Sequence, residues 1–308
     1  MAKSFERVVI VMLENASREL VLQNPYMKSL LEKGLFLSNA IGVTHPSQPN
    51  YILSVAGDSF GFNGDESFWV APYITSLDPN SEPPVTSIVD LLEAKGLTWK
   101  SYAENLQPVD IFQPPAVMFP PPDPPFPPIG PNPAPDSDPL FARRHVPFLC
   151  FPNIVSNPAR AANIVNAQDT FESDLASGKL PNYSWYSPNL INDGHSTIVD
   201  GKVKSAMPSP ETIGNIAAFL SSFLGDDPLA KFPPRTLIVI TFDESFPYSE
   251  YDIYTLLIGD MLRAGTSRSE PYNHYSLLRS IELNFGIGSL ERNDASAEPY
   301  WFVAGNAR

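Results

Sequence analysis

Two pairs of adjacent oxygen-bearing side chains, Glu14-Asn15 and Asp243-Glu244, lie far apart in this chain of 308 residues. Carboxylates brought within about 4 Å repel by roughly 4 kcal/mol at an effective dielectric of about 20, so a fold that joins the pairs invites a hard cation. A bound divalent cation also draws the proton from a nearby hydroxyl without a dedicated base. Ser47 is the candidate hydroxyl, because Pro46 and Pro49 restrict the backbone around it. From spacing alone, a plain Pro-Ser-Gln-Pro turn after a strand is the stronger reading of these residues. Each of the four histidines, His45, His145, His195 and His274, sits in a motif-like setting. Asp193 and His195 flank Gly194, a spacing that lets a carboxylate and an imidazole turn toward one point. Taken singly, each histidine also reads as a satisfied structural residue.

These groups need elements to carry them. The apolar run Val8–Leu13 ends on Glu14, and the run Leu237–Phe242 ends on Asp243. Short continuous apolar runs read as strands buried on both faces of a parallel sheet, where ligands gather outside the carboxyl ends. Helical spacing is predicted over 20–34, 84–96, 163–178, 210–224 and 275–285, with further strands over 35–43, 98–102 and 253–258. That alternation predicts an α/β fold, a mostly parallel central sheet flanked by helices on both faces. The expected organisation is a single domain over 1–308 carrying a proline-rich insertion at 108–139. Such a tract lacks the donors and the dihedral freedom for helix or central strand, so it should run as extended surface chain. A docking strip for a partner and a lid are its alternative uses.

A hydrophobic content of 43% is enough for a large core, and a formal charge of −14 argues against nucleic acid or an anionic membrane as the main partner. No apolar run approaches the roughly 20 residues of a membrane span. The single cysteine, Cys150, forms no internal disulfide and reads as a buried structural thiol. The short segment before the first strand leaves no room for a leader, so a cytoplasmic location is expected.

Six segments then occur in the order seen in one family: Met12-Leu13-Glu14-Asn15, His45-Pro46-Ser47-Gln48-Pro49-Asn50-Tyr51, Arg144-His145-Val146-Pro147-Phe148, Pro188-Asn189-Leu190 with Asp193 and His195, Thr241-Phe242-Asp243-Glu244, and Asn273-His274 continuing to Glu282. Together they resemble the phosphoesterase family, which contains acid phosphatases and phosphatidylcholine-type phospholipases C and belongs to the alkaline-phosphatase-like superfamily. The resemblance implies metal ligation by Glu14, Asn15, Asp243 and Glu244, with Ser47 and Asp193 in the ligand set. It aligns Ser47 with the hydroxyl that attacks phosphorus, forming a covalent phosphoserine. Asn50 and His145 would steady phosphoryl oxygens. His145, His195 and His274 would contact those oxygens, protonate the leaving group or hold a second metal, and His45 would be structural. Oxygen ligands favour Ca²⁺, Mg²⁺ or Mn²⁺, whereas engagement of His195 and His274 would favour Zn²⁺ or Fe.

The chain departs from the family at Ser196, where an acidic residue commonly follows the Asp-x-His unit, and at Ser245-Phe246-Pro247-Tyr248, where relatives carry small or polar residues. The expected function is metal-dependent hydrolysis of small phosphate esters or phospholipids. Its alternatives are a phospholipase C-type phosphodiesterase, a catalytically silent descendant that binds a phosphorylated ligand or a partner, and hydrolysis of a sulfate or phosphonate.

Overall fold

In the computed structural model, residues 3–65, 85–112, 138–199 and 202–304 are described. Ten strands occur among them: β1 (Arg7–Leu13), β2 (Leu35–Leu37), β3 (Trp99–Ala103), β4 (Ile164–Asn166), β5 (Tyr183–Ser187), β6 (Thr197–Val199), β7 (Lys202–Ser205), β8 (Thr236–Phe242), β9 (Thr255–Ile258) and β10 (Thr266–Arg268). Eight form one sheet in the order β10-β2-β9-β8-β1-β5-β3-β4, while β6 and β7 pair separately as an antiparallel hairpin. In the large sheet β9 runs antiparallel to both neighbours, β2 and β8, and the other pairings are parallel.

Val8 to Leu13 and all of β8 are buried, as unbroken apolar runs at the centre of a two-sided sheet must be. The ring contacts of β5 show that both faces are covered. Trp185 packs edge-on against Tyr51 of the Ser47–Ala56 helix, whereas Tyr186 packs against Phe219 and Phe223 of the Pro210–Leu224 helix. Successive strand residues point to opposite faces, so these two helices lie on opposite sides. The Ala167–Ala176 helix joins the second side, where Phe171 meets Tyr186 and Phe223. No helix among the described residues is long and apolar enough to cross a membrane.

Several elements differ from their expected bounds for local reasons. The helix expected over 20–34 is broken into Arg18–Gln23, Pro25–Ser29 and a short 3-10 turn, because Pro25 restarts the chain and Asn24 caps the new piece through the Tyr26 and Met27 amides. The strand expected over 35–43 pairs continuously only at Leu35–Leu37, with one isolated bridge from Ile41 to Asp252. The first residues of the expected 163–178 helix form β4 instead. Most of the proline-rich insertion lies outside the described residues.

Candidate active site

Registered pairing places the acids. Leu13 of β1 stands opposite Phe242 of β8, so Glu14 and Asp243 leave neighbouring strand ends side by side. Two backbone hydrogen bonds continue the ladder past those ends: the Asp243 amide donates to the Leu13 carbonyl and the Glu14 amide to the Asp193 carbonyl, both at 2.9 Å. The loop bearing Asp193 and His195 is thereby tied to β1. Its turn requires Gly194, whose φ is +96° and whose missing Cβ would stand 2.2 Å from Ile216 Cδ1. Glu104, just beyond β3, holds the approach to this loop by accepting from the Asn189 amide at 2.9 Å and from Asn192 Nδ2 at 2.8 Å.

Ser47 occupies the first turn of the Ser47–Ala56 helix rather than a free turn. Its Oγ lies 3.0 Å from Glu14 Oε2, 3.0 Å from Glu244 Oε1 and 3.4 Å from Asn15 Oδ1. Asn15 Nδ2 donates to the same Glu244 oxygen at 3.0 Å. One helical turn after Ser47, Tyr51 donates its hydroxyl to Glu14 Oε1 at 2.8 Å and stacks flat on His145, with centroids 5.2 Å apart. His145 Nε2 is 3.1 Å from Glu14 Oε1, and its Nδ1 is 3.7 Å from Asp193 Oδ2. Both contacts lack hydrogen-bond alignment.

The remaining predicted residues divide by what they touch. The Asp193 carboxylate accepts from the His195 amide at 3.0 Å, leaving His195 Nδ1 buried without a partner. His274 contacts the Asp243 carbonyl through Nε2 at 2.5 Å, which buttresses the acid-bearing backbone. Asn50 is placed differently from the expectation that it steadies substrate oxygens. Its Nδ2 donates to the Thr44 and Pro46 carbonyls, and its Oδ1 accepts from the Val43 and Thr44 amides, so its hydrogen-bonding capacity is used in shaping the loop before Ser47. His45 bonds Glu244 through Nδ1 and the Glu250 carbonyl through Nε2.

Burial dominates the electrostatics. It pushes the Glu14 carboxyl up to about 7 against the pull of Arg144, and, with the Glu14 charge beside it, pushes Glu244 up to about 8. Asp193 and Asp243 are driven well above the usual carboxylate range by burial and then by Glu14. Burial holds His274 down to about 4, and burial followed by Arg144 holds His195 down to about 4 and His145 well below its ordinary value. At neutral pH these three imidazoles are uncharged, each with one N–H to donate.

The donor chemistry of the cluster suits a hard divalent cation. Both oxygens of Asp243 and Oδ2 of Asp193 are buried with no hydrogen-bond partner, and a buried carboxylate without one is stable only when protonated or matched by positive charge. Glu14, Asn15, Ser47, Asp243 and Glu244 supply an all-oxygen donor set. Among the described residues, no three His, Cys, Asp or Glu side chains converge in a finished cage. The bond from Asn15 Nδ2 occupies the Glu244 Oε1 that such a cage would use.

Three site residues escaped the sequence reading. Tyr51 was legible from its position one turn after Ser47. Arg144 stood inside a quoted motif without a role, yet its charge acts on Glu14, Asp193, His145 and His195 while its Nε is buried without a partner. Asp65, whose Oδ1 accepts from the Gln48 amide at 2.9 Å, had no local signal. Cys150 is a buried thiol that Gln48 Nε2 approaches to 3.5 Å, in keeping with its expected structural role.

Comparison with known proteins follows the same lines. The profile of the Phosphoesterase family matches residues 22–288. A probable acid phosphatase of Kluyveromyces lactis is 33% identical over 305 residues, covering 98% of this chain and 63% of the relative. An acid phosphatase of Aspergillus fumigatus is 31% identical over 308 residues, covering 98% and 59%. The chain thus spans about three fifths of the length of these fungal relatives. A phosphatidylinositol-3-phosphatase of Mycobacterium tuberculosis is 27% identical over 287 residues, covering 92% and 78%. Among solved structures, a protein in the alkaline phosphatase superfamily from Vibrio parahaemolyticus superposes with a TM-score of 0.53 at 13% identity, covering 96% of this chain and 71% of that one. The lipoteichoic acid synthase of Listeria monocytogenes gives 0.54 at 11% identity, covering 98% and 76%. At such identities the likeness concerns the fold, which is alkaline-phosphatase-like. By the extent of the family match and the identity to its relatives, this chain belongs to the Phosphoesterase family.

Proposed function

We propose that the protein hydrolyses phosphoric monoesters in the manner of an acid phosphatase, with Ser47 as the nucleophile. The observation that carries this reading is the position of Ser47 Oγ, 3.0 Å from carboxylate oxygens of Glu14 and Glu244, which arrive on strands more than two hundred residues apart in sequence. In their ionised form, which a bound cation would favour, such carboxylates give the hydroxyl proton an acceptor as the oxygen attacks phosphorus. Attack forms the Ser47 O–P bond and breaks the bond to the leaving alcohol, which takes a proton. Water then cleaves the phosphoserine, releasing phosphate and restoring the hydroxyl. Phosphoryl transfer demands alignment and charge neutralisation at the equatorial oxygens. Arg144 and the neutral N–H groups of His145 and His195 provide donors for that purpose, while Asp193 and Tyr51 orient the groups around them. A divalent cation held by Glu14, Asn15, Ser47, Asp243 and Glu244, with Asp193 at the edge of the set, would add charge neutralisation and acidify the Ser47 hydroxyl.

A lipid phosphomonoester is the second reading, favoured by the phosphatidylinositol-3-phosphatase, of which the chain covers a larger share than of the fungal enzymes. Hydrolysis of a generic aryl phosphate by the unaltered protein, by Ser47→Ala and after chelation tests the proposal. Loss by at least about 10³-fold in the variant and a large loss on chelation are expected. Turnover indifferent to both treatments would end it. Adding a short-chain phosphatidylinositol 3-phosphate to the same assay separates the two substrate readings.

A further inference from the structure

The segment after Glu244 brings aromatic rings to the edge of the site. Tyr248 and Tyr251 are 51% and 47% exposed, unusual for rings that belong to a packed cluster. Their centroids stand 5.1 and 4.7 Å from that of His45, and Phe246 meets Tyr248 edge-on at 5.6 Å. His45 in turn bonds the Glu244 carboxylate, whose Oε1 is 3.0 Å from Ser47 Oγ. An unbroken line of contacts therefore runs from the nucleophile outward to two solvent-facing rings.

Resting on the phosphatase reading, we propose that Tyr248 and Tyr251 form a leaving-group platform that selects esters of planar, uncharged alcohols such as phenols. The loop that carries the rings is held before substrate arrives, and the rings themselves pack on His45. The Tyr251 carbonyl accepts from the Gly42 amide at 2.7 Å, the Glu250 amide donates to the Pro247 carbonyl at 2.9 Å, and Asp252 bridges to Ile41. Rings so fixed lose little freedom when a flat group stacks on them, and the offset or edge-on geometries that aromatic pairs prefer are open on their exposed faces. Charge narrows the choice further. Residues 245–252 include Glu250 and Asp252 but no Lys or Arg, and Asp252 already has Arg18 at 3.7 Å. A leaving group carrying its own carboxylate would meet like charge.

The test is kcat/KM for phenyl phosphate, 4-carboxyphenyl phosphate and glycerol 1-phosphate, measured with the unaltered protein, Y248A/Y251A and Y248F/Y251F. The alanine pair should lose about tenfold on phenyl phosphate, mostly in KM, while glycerol phosphate stays within about twofold. The phenylalanine pair should keep the aryl preference, and the carboxylated ester should be the poorer of the two aryl substrates throughout. Equal losses on phenyl and glycerol phosphate, or no loss on either, would overturn the platform while leaving the phosphatase reading intact. Absence of turnover on all three esters by the unaltered protein would overturn both.

Discussion

Two helices begin at this site, and they begin differently. The His274–Phe285 helix is closed by its own sequence: Asn273 accepts from the Ser276 amide, and Ser276 Oγ accepts from the Asn273 amide. The Ser47–Ala56 helix starts after Pro46, which has no side-chain acceptor, and its Gln48 amide donates instead to Asp65, a residue outside the helix. The supporting helix is finished locally and offers the site only an imidazole that braces the Asp243 carbonyl. The helix that carries Ser47, the proposed nucleophile, leaves its amino end dependent on a distant group, and its dipole favours negative charge there. Local self-sufficiency goes with the bracing helix, and the unfinished end goes with the helix whose first residue is proposed to react.

The sharpest test of that contrast concerns Arg144, in the Arg143–His145 turn that packs against the Ser47 helix. If the open end and this guanidinium together receive the phosphoryl group, Arg144→Ala should lower kcat/KM by about 10²-fold, with Arg144→Lys recovering only part of it because a point charge replaces a bidentate fork. A loss under threefold would remove Arg144 from the reacting centre.

On the supporting helix the expected effect is on stability instead. Glu282 is buried beside Asp294, and burial pushes its carboxyl up to about 8 from an ordinary 4.5. Between those values the folded chain keeps a proton that the unfolded chain has released, so stability falls as pH rises through the window, by up to about 1.4 kcal/mol per pH unit. Glu282→Gln should remove one proton's worth of that slope, raising the melting temperature at pH 8.5 and leaving it nearly unchanged at pH 4.5. Identical slopes in the two proteins would assign the dependence to other groups.

The smallest effects distinguish the two caps. Asn273→Ala should cost about 1 kcal/mol, or about 2 °C in Tm, with kcat within about twofold. Asp65→Asn should leave Tm almost unmoved yet lower KM for an anionic ester about threefold, since it removes a negative charge that acts on Glu14, Glu244 and His195. The comparison fails if the first variant impairs turnover more than the second alters KM.

The same contrast explains what could be read before the structure. β1 and β8 were legible to the residue at their carboxyl ends because unbroken apolar runs stop there on acids. The His274 helix was equally plain, its apolar positions repeating and Gly286 closing it in the left-handed region. β5 was missed, although it lies beside β1 at the sheet centre, because Tyr-Ser-Trp-Tyr-Ser mixes hydroxyls with rings. Of its two serines, Ser187 finds the His145 carbonyl at 2.7 Å, whereas Ser184 Oγ is buried with no hydrogen-bond partner. Motif order identified most of the acids and imidazoles, but order alone did not tell Asn50, enclosed by its own loop, from Asp65, brought in from another segment.

The acids are laced into the sheet by main-chain hydrogen bonds, through the Asp243 amide to Leu13 and the Glu14 amide to Asp193. The spacing of Glu14 and Asp243 is therefore governed by the pitch of the β ladder, whereas the Glu244 carboxylate is held by His45 and Asn15. Changes in the loops beyond the two strand ends would leave the separation of those two backbones as it is.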